Sequence, residues 1–302
     1  MRVIFTYDTE EPNQCVPKLR TILNVHRKFD APLTTFVVGR LIESEGKQLK
    51  KLIDEGGELF DVNSHTYSHS RLIVKPPWSL PVPSAEFVHH EISRGVQAVR
   101  DVLDRPCRGF RPRSGAGAGF RGQPEDLDAL RTAGCTWSSA YLKSTFGDSL
   151  PSDLHGPYSY QADGFDDIIE LPGHGWPDCG VKDYGRGGEH AVRWPTPFVY
   201  PSGYVQNPDE EFEVHKGTLD AALEAGLPYC GLIMHPWIMI RDQDPNGKCI
   251  EMLLQYAKDN GWEVTTCDFE AQRCRENPVQ LVEAPPVPPQ RVVGYDVGRL
   301  FA

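Results

Sequence analysis

Two histidines four residues apart, in the stretch His65-Thr-Tyr-Ser-His69, are the first residues of this chain that could carry out chemistry. Imidazole nitrogens are common ligands of divalent metals. If the second half of this stretch begins a helix, both side chains project from one face, about one turn apart. A surface loop could contain the same pair, because His-x-x-x-His is frequent in proteins. The interpretation therefore depends on which other reactive groups the chain brings to the pair.

Four further polar residues stand at the ends of apolar runs. Asp8 and Glu10 end the first run, Arg111 ends a run in the first half of the chain, and His235 ends one near the carboxyl terminus. Taken singly, each has an ordinary alternative role, such as a helix cap, a core histidine or a surface ion pair. Taken together, they predict an active site on one rim of an α/β sheet or barrel.

The order of the predicted elements supports this geometry. Strands at 2–7, 33–38 and 58–62 alternate with helices at 17–29 and 46–55. This alternation favours a parallel sheet with helices outside it. Further strands are predicted at 107–111, 136–141, 168–171, 229–234 and 262–266, and further helices at 84–103, 124–133, 219–224, 250–259 and 268–275.

Composition narrows the class of protein. The chain has 302 residues, 39% of them apolar, and a net charge of −11, which is typical of a globular protein and argues against a nucleic-acid partner. No apolar run approaches the roughly 20 residues of a membrane span. No signal peptide is visible, so we expect a cytoplasmic protein. The eight cysteines include no Cys-x-x-Cys pair, which favours reduced, structural thiols.

We expect one catalytic domain over residues 1–276. Two stretches rich in proline, glycine or aromatic residues, at about 74–84 and 146–215, are predicted to be inserts. The proline-rich residues 277–302 are predicted to form a tail or an oligomerisation arm, so a homo-oligomer is expected.

Five stretches in sequence order resemble the polysaccharide deacetylase (NodB-homology) family, which comprises carbohydrate esterases that use a divalent metal. The resemblance implies an α/β fold, a distorted (β/α) barrel of the polysaccharide deacetylase type. The Asp-x-Glu opening is similar to the branch that also includes allantoinase-like and imidase proteins. The stretches are 5–10, 63–69, 108–115, 133–139 and 232–237.

The resemblance implies roles for the six reactive residues. Glu10, His65 and His69 correspond to the metal ligands, with zinc as the expected metal and cobalt, nickel or manganese as alternatives. Asp8 corresponds to the general base that deprotonates the attacking water. The two other catalytic positions are Arg111, which would hold that carboxylate ionised, and His235, which would protonate the leaving amine.

Two positions depart from the family pattern. Thr9 or Glu10, depending on the alignment, stands where an aspartate usually binds the metal, and glutamate is the better ligand of the two. Ser138 stands where an aspartate usually supports the acid histidine. Asp148, Asp178 or another carboxylate could take its place.

A set of aromatic residues and one histidine is predicted to line the substrate pocket, where aromatic rings can stack on a sugar. These residues are Trp78, Trp137, Tyr141, His174, Trp176 and Trp237.

Together these features predict a metal-dependent hydrolase of a C–N amide bond, acting on an acetylated amino sugar or polysaccharide. One alternative is a hydrolase of small cyclic amides or ureides. A non-catalytic binding protein on the same fold is the third possibility, motivated by Thr9 and Ser138. The expected partner is a small-molecule or carbohydrate substrate, with no nucleic acid and no membrane.

Overall fold

The structure is a computed structural model that describes residues 1–72, 83–143, 151–182 and 205–287. Parts of both predicted inserts, and the last part of the predicted tail, lie outside these residues.

A nine-stranded sheet forms the centre of the protein. Its strand order is β6-β7-β5-β4-β3-β2-β1-β8, with β9 paired to β1, and every pair is parallel except β6–β7. The most central strands are almost wholly buried because they are continuous runs of apolar residues and threonine, as expected for a parallel sheet covered by helices. The strands are β1 (Arg2–Thr9), β2 (Leu33–Val37), β3 (Phe60–Ser64), β4 (Gly109–Phe110), β5 (Trp137–Ser138), β6 (Tyr158–Tyr160), β7 (Phe165–Glu170), β8 (Tyr229–Met234) and β9 (Glu263–Thr265).

The helices bury one apolar stripe each. In the first helix, Leu19, Ile22 and Leu23 have no exposed surface, and their spacing is that of one helix face. The third helix begins where the Ser84 hydroxyl accepts a hydrogen bond from the Phe87 N–H, as an N-cap should. The helices are α1 (Cys15–Lys28), α2 (Gly39–Gly56), α3 (Ala85–Leu103), α4 (Pro124–Thr132), α5 (Asp178–Val181), α6 (Pro208–Glu224), α7 (Pro236–Met239), α8 (Lys248–Asp259) and α9 (Cys267–Glu276).

The predicted α/β fold with a largely parallel sheet is confirmed. The paired strands of the described residues run from β6 to β8 without a ladder between β7 and β8. Across this gap His174 makes two bonds to one residue of β8. Its backbone N–H donates to the Gly231 carbonyl oxygen at 2.8 Å, and its ring Nδ1 accepts a hydrogen bond from the Gly231 backbone N–H at 2.9 Å. His174 thus links the segment after β7 to the opposite edge of the sheet.

The beginning of the predicted tail packs on its own chain. Gln280 accepts a hydrogen bond from the Arg2 guanidinium at 3.0 Å, and the Val282 N–H donates to the Pro157 carbonyl oxygen at 2.8 Å. The single-domain division at residue 276 and the oligomerisation arm stay predictions. No helix among the described residues is both long and apolar enough to cross a bilayer.

A buried carboxylate on α4 gives a stability prediction. Burial raises the pKa of Asp126 to about 7, and its Oδ1 has no hydrogen-bond partner. Because the folded pKa lies above the unfolded value, the contribution of this group to stability is lost as the pH rises through about 7. We expect Asp126→Asn to gain stability relative to wild type, by on the order of 2 kcal/mol more at pH 8.5 than at pH 5. Urea unfolding at both pH values measures this difference, and an equal effect at both would contradict it.

Candidate active site

The structure brings all six residues predicted as catalytic or metal-binding to one rim of the sheet. Five of them lie in or directly after a parallel strand, at its carboxyl end, where such ends converge, and His69 lies four residues further along the segment after β3. These residues are Asp8 in β1, Glu10 after β1, His65 and His69 after β3, Arg111 after β4, and His235 after β8.

Glu10, His65 and His69 form a compact donor group. Oε2 of Glu10 lies 2.6 Å from Nε2 of His69 and 3.6 Å from Nε2 of His65, and the three ligand atoms all lie within 4.8 Å of one another. Nδ1 of His65 lies 2.9 Å from the Arg111 carbonyl oxygen, to which it must donate, so Nε2 presents its lone pair to the group. Two imidazoles and one carboxylate with these spacings fit a divalent transition metal and leave further coordination positions open.

The two histidines do not lie on a helix, so that part of the expectation is wrong. They belong to a loop between β3 and α3, in which Thr66 and His69 have φ values of 65° and 61°. Glu91 of α3 holds the loop, because its carboxylate accepts hydrogen bonds from the Ser68 N–H at 2.9 Å and the Ser68 hydroxyl at 2.8 Å. The imidazole centroids of His65 and His69 are 5.0 Å apart. Loop geometry, rather than helical spacing, brings the imidazoles together.

Arg111 is buried and bonded to Asp8. Its Nη1 donates to Oδ1 of Asp8 at 2.7 Å and to the Thr6 hydroxyl at 2.8 Å, and its Nη2 donates to the Ser139 hydroxyl at 3.0 Å. The guanidinium also stacks on the ring of Phe36, with its carbon 4.1 Å from the ring centroid. The arginine is therefore fixed on several sides and orients the carboxylate.

The charges in the site keep both carboxylates ionised. Burial by itself would raise the pKa of Asp8, but opposing effects, of which the charge of Arg111 is the largest, lower this pKa below its ordinary value. The pKa of Glu10 is held well below its usual range, and the charge of His235 is the largest effect that opposes burial. Burial lowers the pKa of His69, which favours the neutral ring.

His235 is paired with Asp178, the first residue of α5. Nδ1 of His235 lies 2.6 Å from Oδ1 of Asp178, and the backbone N–H of His235 donates to Oδ2 at 2.6 Å. Its Nε2 faces the site, 3.9 Å from Oδ2 of Asp8 and 3.9 Å from Oε1 of Glu10. Burial works to lower the pKa of His235, but Asp178 and Glu10 overcome it and raise this pKa well above the ordinary value.

Of the two carboxylates considered in place of the usual aspartate, Asp178 is the one beside His235. Asp148 lies outside the described residues. Asp178 belongs to the predicted insert at 146–215, which has no regular hydrophobic pattern. In the sequence it was therefore a candidate only because it is a carboxylate close to Trp176 and Pro177.

Ser138 is bonded to a carboxylate that sequence reasoning missed. Its hydroxyl donates to Glu170, which is fully buried and also accepts from the Tyr160 hydroxyl at 2.6 Å. The N–H groups of residues 140 and 141 both donate to Oε1 of Glu170 at 2.6 Å. Glu170 therefore fixes the segment after β5, which carries Ser139 to the guanidinium in the site.

Three predicted pocket residues have their polar atoms bonded within the protein. Trp137 has no exposed surface, and its indole N–H donates to Oδ1 of Asp268 at 3.0 Å. The Tyr141 hydroxyl donates to Oδ2 of Asp153 at 2.8 Å. Nε2 of His174 bonds a backbone carbonyl oxygen, at 2.9 Å, and its Nδ1 is occupied by β8. All three residues are at most 2% exposed, which corrects their predicted role as pocket residues. Their positions in the sequence could not show whether a ring is buried or exposed.

The other predicted pocket residues differ in placement. Trp78 lies outside the described residues. Trp176 is partly exposed, two residues before Asp178. Trp237 is 8% exposed, and its indole N–H donates to Oε1 of Glu10 at 3.1 Å. Substrate contact by these three residues stays a prediction.

Residues 1–131 match the family model for polysaccharide deacetylase. No curated protein sequence matches the chain. Because its structural relatives are less than 25% identical to it, their similarity establishes the fold alone.

Three solved structures illustrate the range of similar folds. A polysaccharide-deacetylase-type protein from Mycobacterium smegmatis is 18% identical, with 96% of this chain and 94% of that chain covered and a TM-score of 0.65. PuuE allantoinase is 13% identical, with coverage of 91% and 90% and a TM-score of 0.62. The wild-type CE4 family pseudoenzyme BA3943 from Bacillus anthracis is 14% identical, with coverage of 89% and 65% and a TM-score of 0.54. In sequence, residues 1–131 are similar to the polysaccharide deacetylase family, and the fold as a whole is the one that these structures share.

Proposed function

We propose that the protein is a metal-dependent hydrolase of the C–N bond of an amide, and that it removes the acetyl group from an acetylated amino sugar or polysaccharide. One observation carries the proposal: the donor group of Glu10, His65 and His69 lies beside the Asp8 carboxylate, which is paired with Arg111, and beside His235, which is paired with Asp178. The match of residues 1–131 to the polysaccharide deacetylase model supports the carbohydrate substrate.

Each reactive group has one task in amide hydrolysis. A divalent ion in the donor group would act as a Lewis acid that polarises the amide carbonyl. Asp8, ionised and held by Arg111, accepts a proton from the attacking water. The fixed guanidinium prevents the carboxylate from turning away, which keeps its lone pair directed at the site.

His235 supplies the proton that the leaving nitrogen needs. Its raised pKa keeps the ring protonated at neutral pH, and its Nε2–H faces the site because Nδ1 is bonded to Asp178. The Asp178 carboxylate stabilises the imidazolium before the transfer and fixes the ring orientation. A carboxylate base and a histidine acid beside one donor group are what general acid–base hydrolysis requires.

The two departures that suggested a binding protein have counterparts in the structure. Thr9 is buried, and its hydroxyl pairs with that of Thr35 at 2.7 Å, so it is not a ligand candidate; Glu10 takes that place. Ser138 is bonded to Glu170, and the carboxylate beside His235 comes from α5. Glu10 can therefore act as the carboxylate ligand of the metal, and Asp178 can act as the carboxylate that supports His235.

A second candidate substrate class is a small cyclic amide or ureide. It is favoured by the burial of Trp137 and the internal bonding of Tyr141, which remove two of the predicted sugar-stacking rings. The same acid, base and donor group would open a cyclic amide. In either case we propose zinc as the metal, with cobalt, nickel or manganese as alternatives, and a cytoplasmic homo-oligomer.

Metal content is the first test. We expect about one divalent ion per purified chain, and loss of that ion in the double variant His65→Ala/His69→Ala, because two of the three donors are then missing. Elemental analysis measures the ion. Acetate release from N-acetylglucosamine oligomers and ring opening of a cyclic imide, both with the metal-loaded protein, then separate the two substrate classes.

A matched control uses two histidines outside the site. His89 and His90 lie on α3 and contact Asp128 and Tyr67, so His89→Ala/His90→Ala should retain the ion. Absence of a bound ion in the wild type, with no rise in melting temperature on adding zinc, cobalt, nickel or manganese, would overturn the metal-dependent mechanism.

A further inference from the structure

We propose that Trp237 is a positioning residue: its indole N–H fixes the Glu10 carboxylate so that one oxygen is directed at the metal. The inference rests on the proposed function, because it concerns a ligand of the proposed metal site. It gives Trp237 a different task from the predicted stacking on a substrate ring.

The two oxygens of Glu10 have different partners. Oε1 accepts the Trp237 indole N–H at 3.1 Å, whereas Oε2 lies 2.6 Å from Nε2 of His69 and 3.6 Å from Nε2 of His65. One oxygen is therefore occupied by a fixed donor, and the other lies among the imidazole nitrogens. This division favours a carboxylate that binds the ion through Oε2 alone.

A glutamate ligand needs such a partner more than an aspartate does. Its side chain has one more rotatable bond, and holding that bond in a single state costs conformational entropy when the ion binds. A hydrogen bond that already holds the carboxylate removes part of this cost. Outer hydrogen bonds of this kind typically change metal affinity by about 10- to 100-fold.

The position of Trp237 is itself well defined. It lies on α7, two residues after His235, and the two rings are in edge-to-face contact with centroids 6.1 Å apart. The Lys18 ammonium donates to the Trp237 carbonyl oxygen at 3.3 Å, which ties α7 to α1. With only 8% of the residue exposed, water competes little for the indole N–H. One short turn after β8 thus carries both the acid and the group that orients a ligand.

The test compares two Trp→Phe variants. We expect Trp237→Phe to weaken the affinity for Zn²⁺ by about 10-fold or more, measured by competition with a chromophoric chelator, because the aromatic ring stays and the donor is lost. Trp137→Phe is the matched control. It removes an indole N–H that bonds a carboxylate, Asp268, at 3.0 Å in the core, and should leave the affinity for Zn²⁺ unchanged.

A double-mutant cycle distinguishes positioning from a general packing effect. Glu10→Asp shortens the side chain and withdraws its carboxylate from the indole, so in this background Trp237→Phe should weaken the affinity no further. The same loss of affinity in both backgrounds, or no loss in Trp237→Phe alone, would overturn the inference. If Trp237→Phe does not fold, 3-benzothienylalanine at position 237 keeps the shape of indole, replaces its N–H by sulfur, and must give the same 10-fold loss.

The outcomes separate this inference from the proposed function. Wild-type protein that binds no metal overturns both. Wild-type protein that binds Zn²⁺ and loses it in His65→Ala/His69→Ala, while Trp237→Phe binds as tightly as wild type, overturns only the role of Trp237.

Discussion

Asp8→Asn is expected to lower kcat for amide hydrolysis by about 1,000-fold. The asparagine oxygen can still accept a hydrogen bond from Arg111, but the side chain can no longer accept a proton from water. The donor group stays intact, so the bound metal should be retained. Steady-state kinetics on the substrate class that the metal-loaded protein hydrolyses, with elemental analysis of the same preparation, measure both properties.

The loss of activity can be assigned to Asp8 when it is compared with the stability of the variant and with the activity of a control variant. Breaking a buried ion pair costs about 3–5 kcal/mol, so the unfolding free energy of Asp8→Asn must be measured and the assays run well below its melting temperature. Asp61→Asn is the control, because Asp61 is a partly buried carboxylate near the amino end of strand β3, bonded to Thr34 and Asn63, whereas the donor group follows the carboxyl ends of the strands. It should keep its kcat. Full activity in folded Asp8→Asn would rule out Asp8 as the base.

Asp178→Asn is expected to lower kcat by about 100-fold or more and to move the alkaline limb of the pH–kcat profile to lower pH. Asp178 raises the pKa of His235 at present. Without that negative charge, the imidazolium loses its proton at a lower pH, and the acid form disappears earlier as the pH rises. Because wild type and variant share the same donor group, the difference between their profiles reports the effect of Asp178.

Asp153→Asn provides the matched control for this shift. Asp153 accepts the Tyr141 hydroxyl at 2.8 Å and is not bonded to His235 in the described structure. Its profile should coincide with that of the wild type. An unchanged alkaline limb in Asp178→Asn would show that His235 is not the acid, or that its charge does not depend on this carboxylate.

The sequence predicts the elements that have a strong hydrophobic period. Strand β8 has the predicted bounds, and the observed α1 differs from its prediction by two residues or fewer at each end. Helix α6 begins at Pro208, well before its predicted start at 219, because its first turns are acidic and poor in apolar residues. Local propensity and capping, here by Asn207, decide such a segment rather than periodicity.

The residues of the candidate site likewise divide into those that the sequence predicts and those that it does not. Residues directly after strands, such as Asp8 and His235, could be placed because parallel strands end on one rim. The contacts of Asp178, Glu170 and Glu91 could not be predicted, since each joins segments distant in the chain, and no local pattern encodes such a pair. The exposure of Trp137 could not be predicted either, because a core ring and a pocket ring have the same composition signal.

The strand order has a consequence for the biosynthesis of the protein. All three residues of the donor group lie within the first 69 residues, in the segments after β1 and β3, and β2 pairs with both of these strands. His235 follows β8, which pairs with β1 from more than 220 residues later in the chain, and its partner Asp178 follows β7. Contacts of short sequence separation form earlier than distant ones. On the ribosome, therefore, we expect the emerging chain to gather its proposed metal ligands well before it acquires its proposed proton donor.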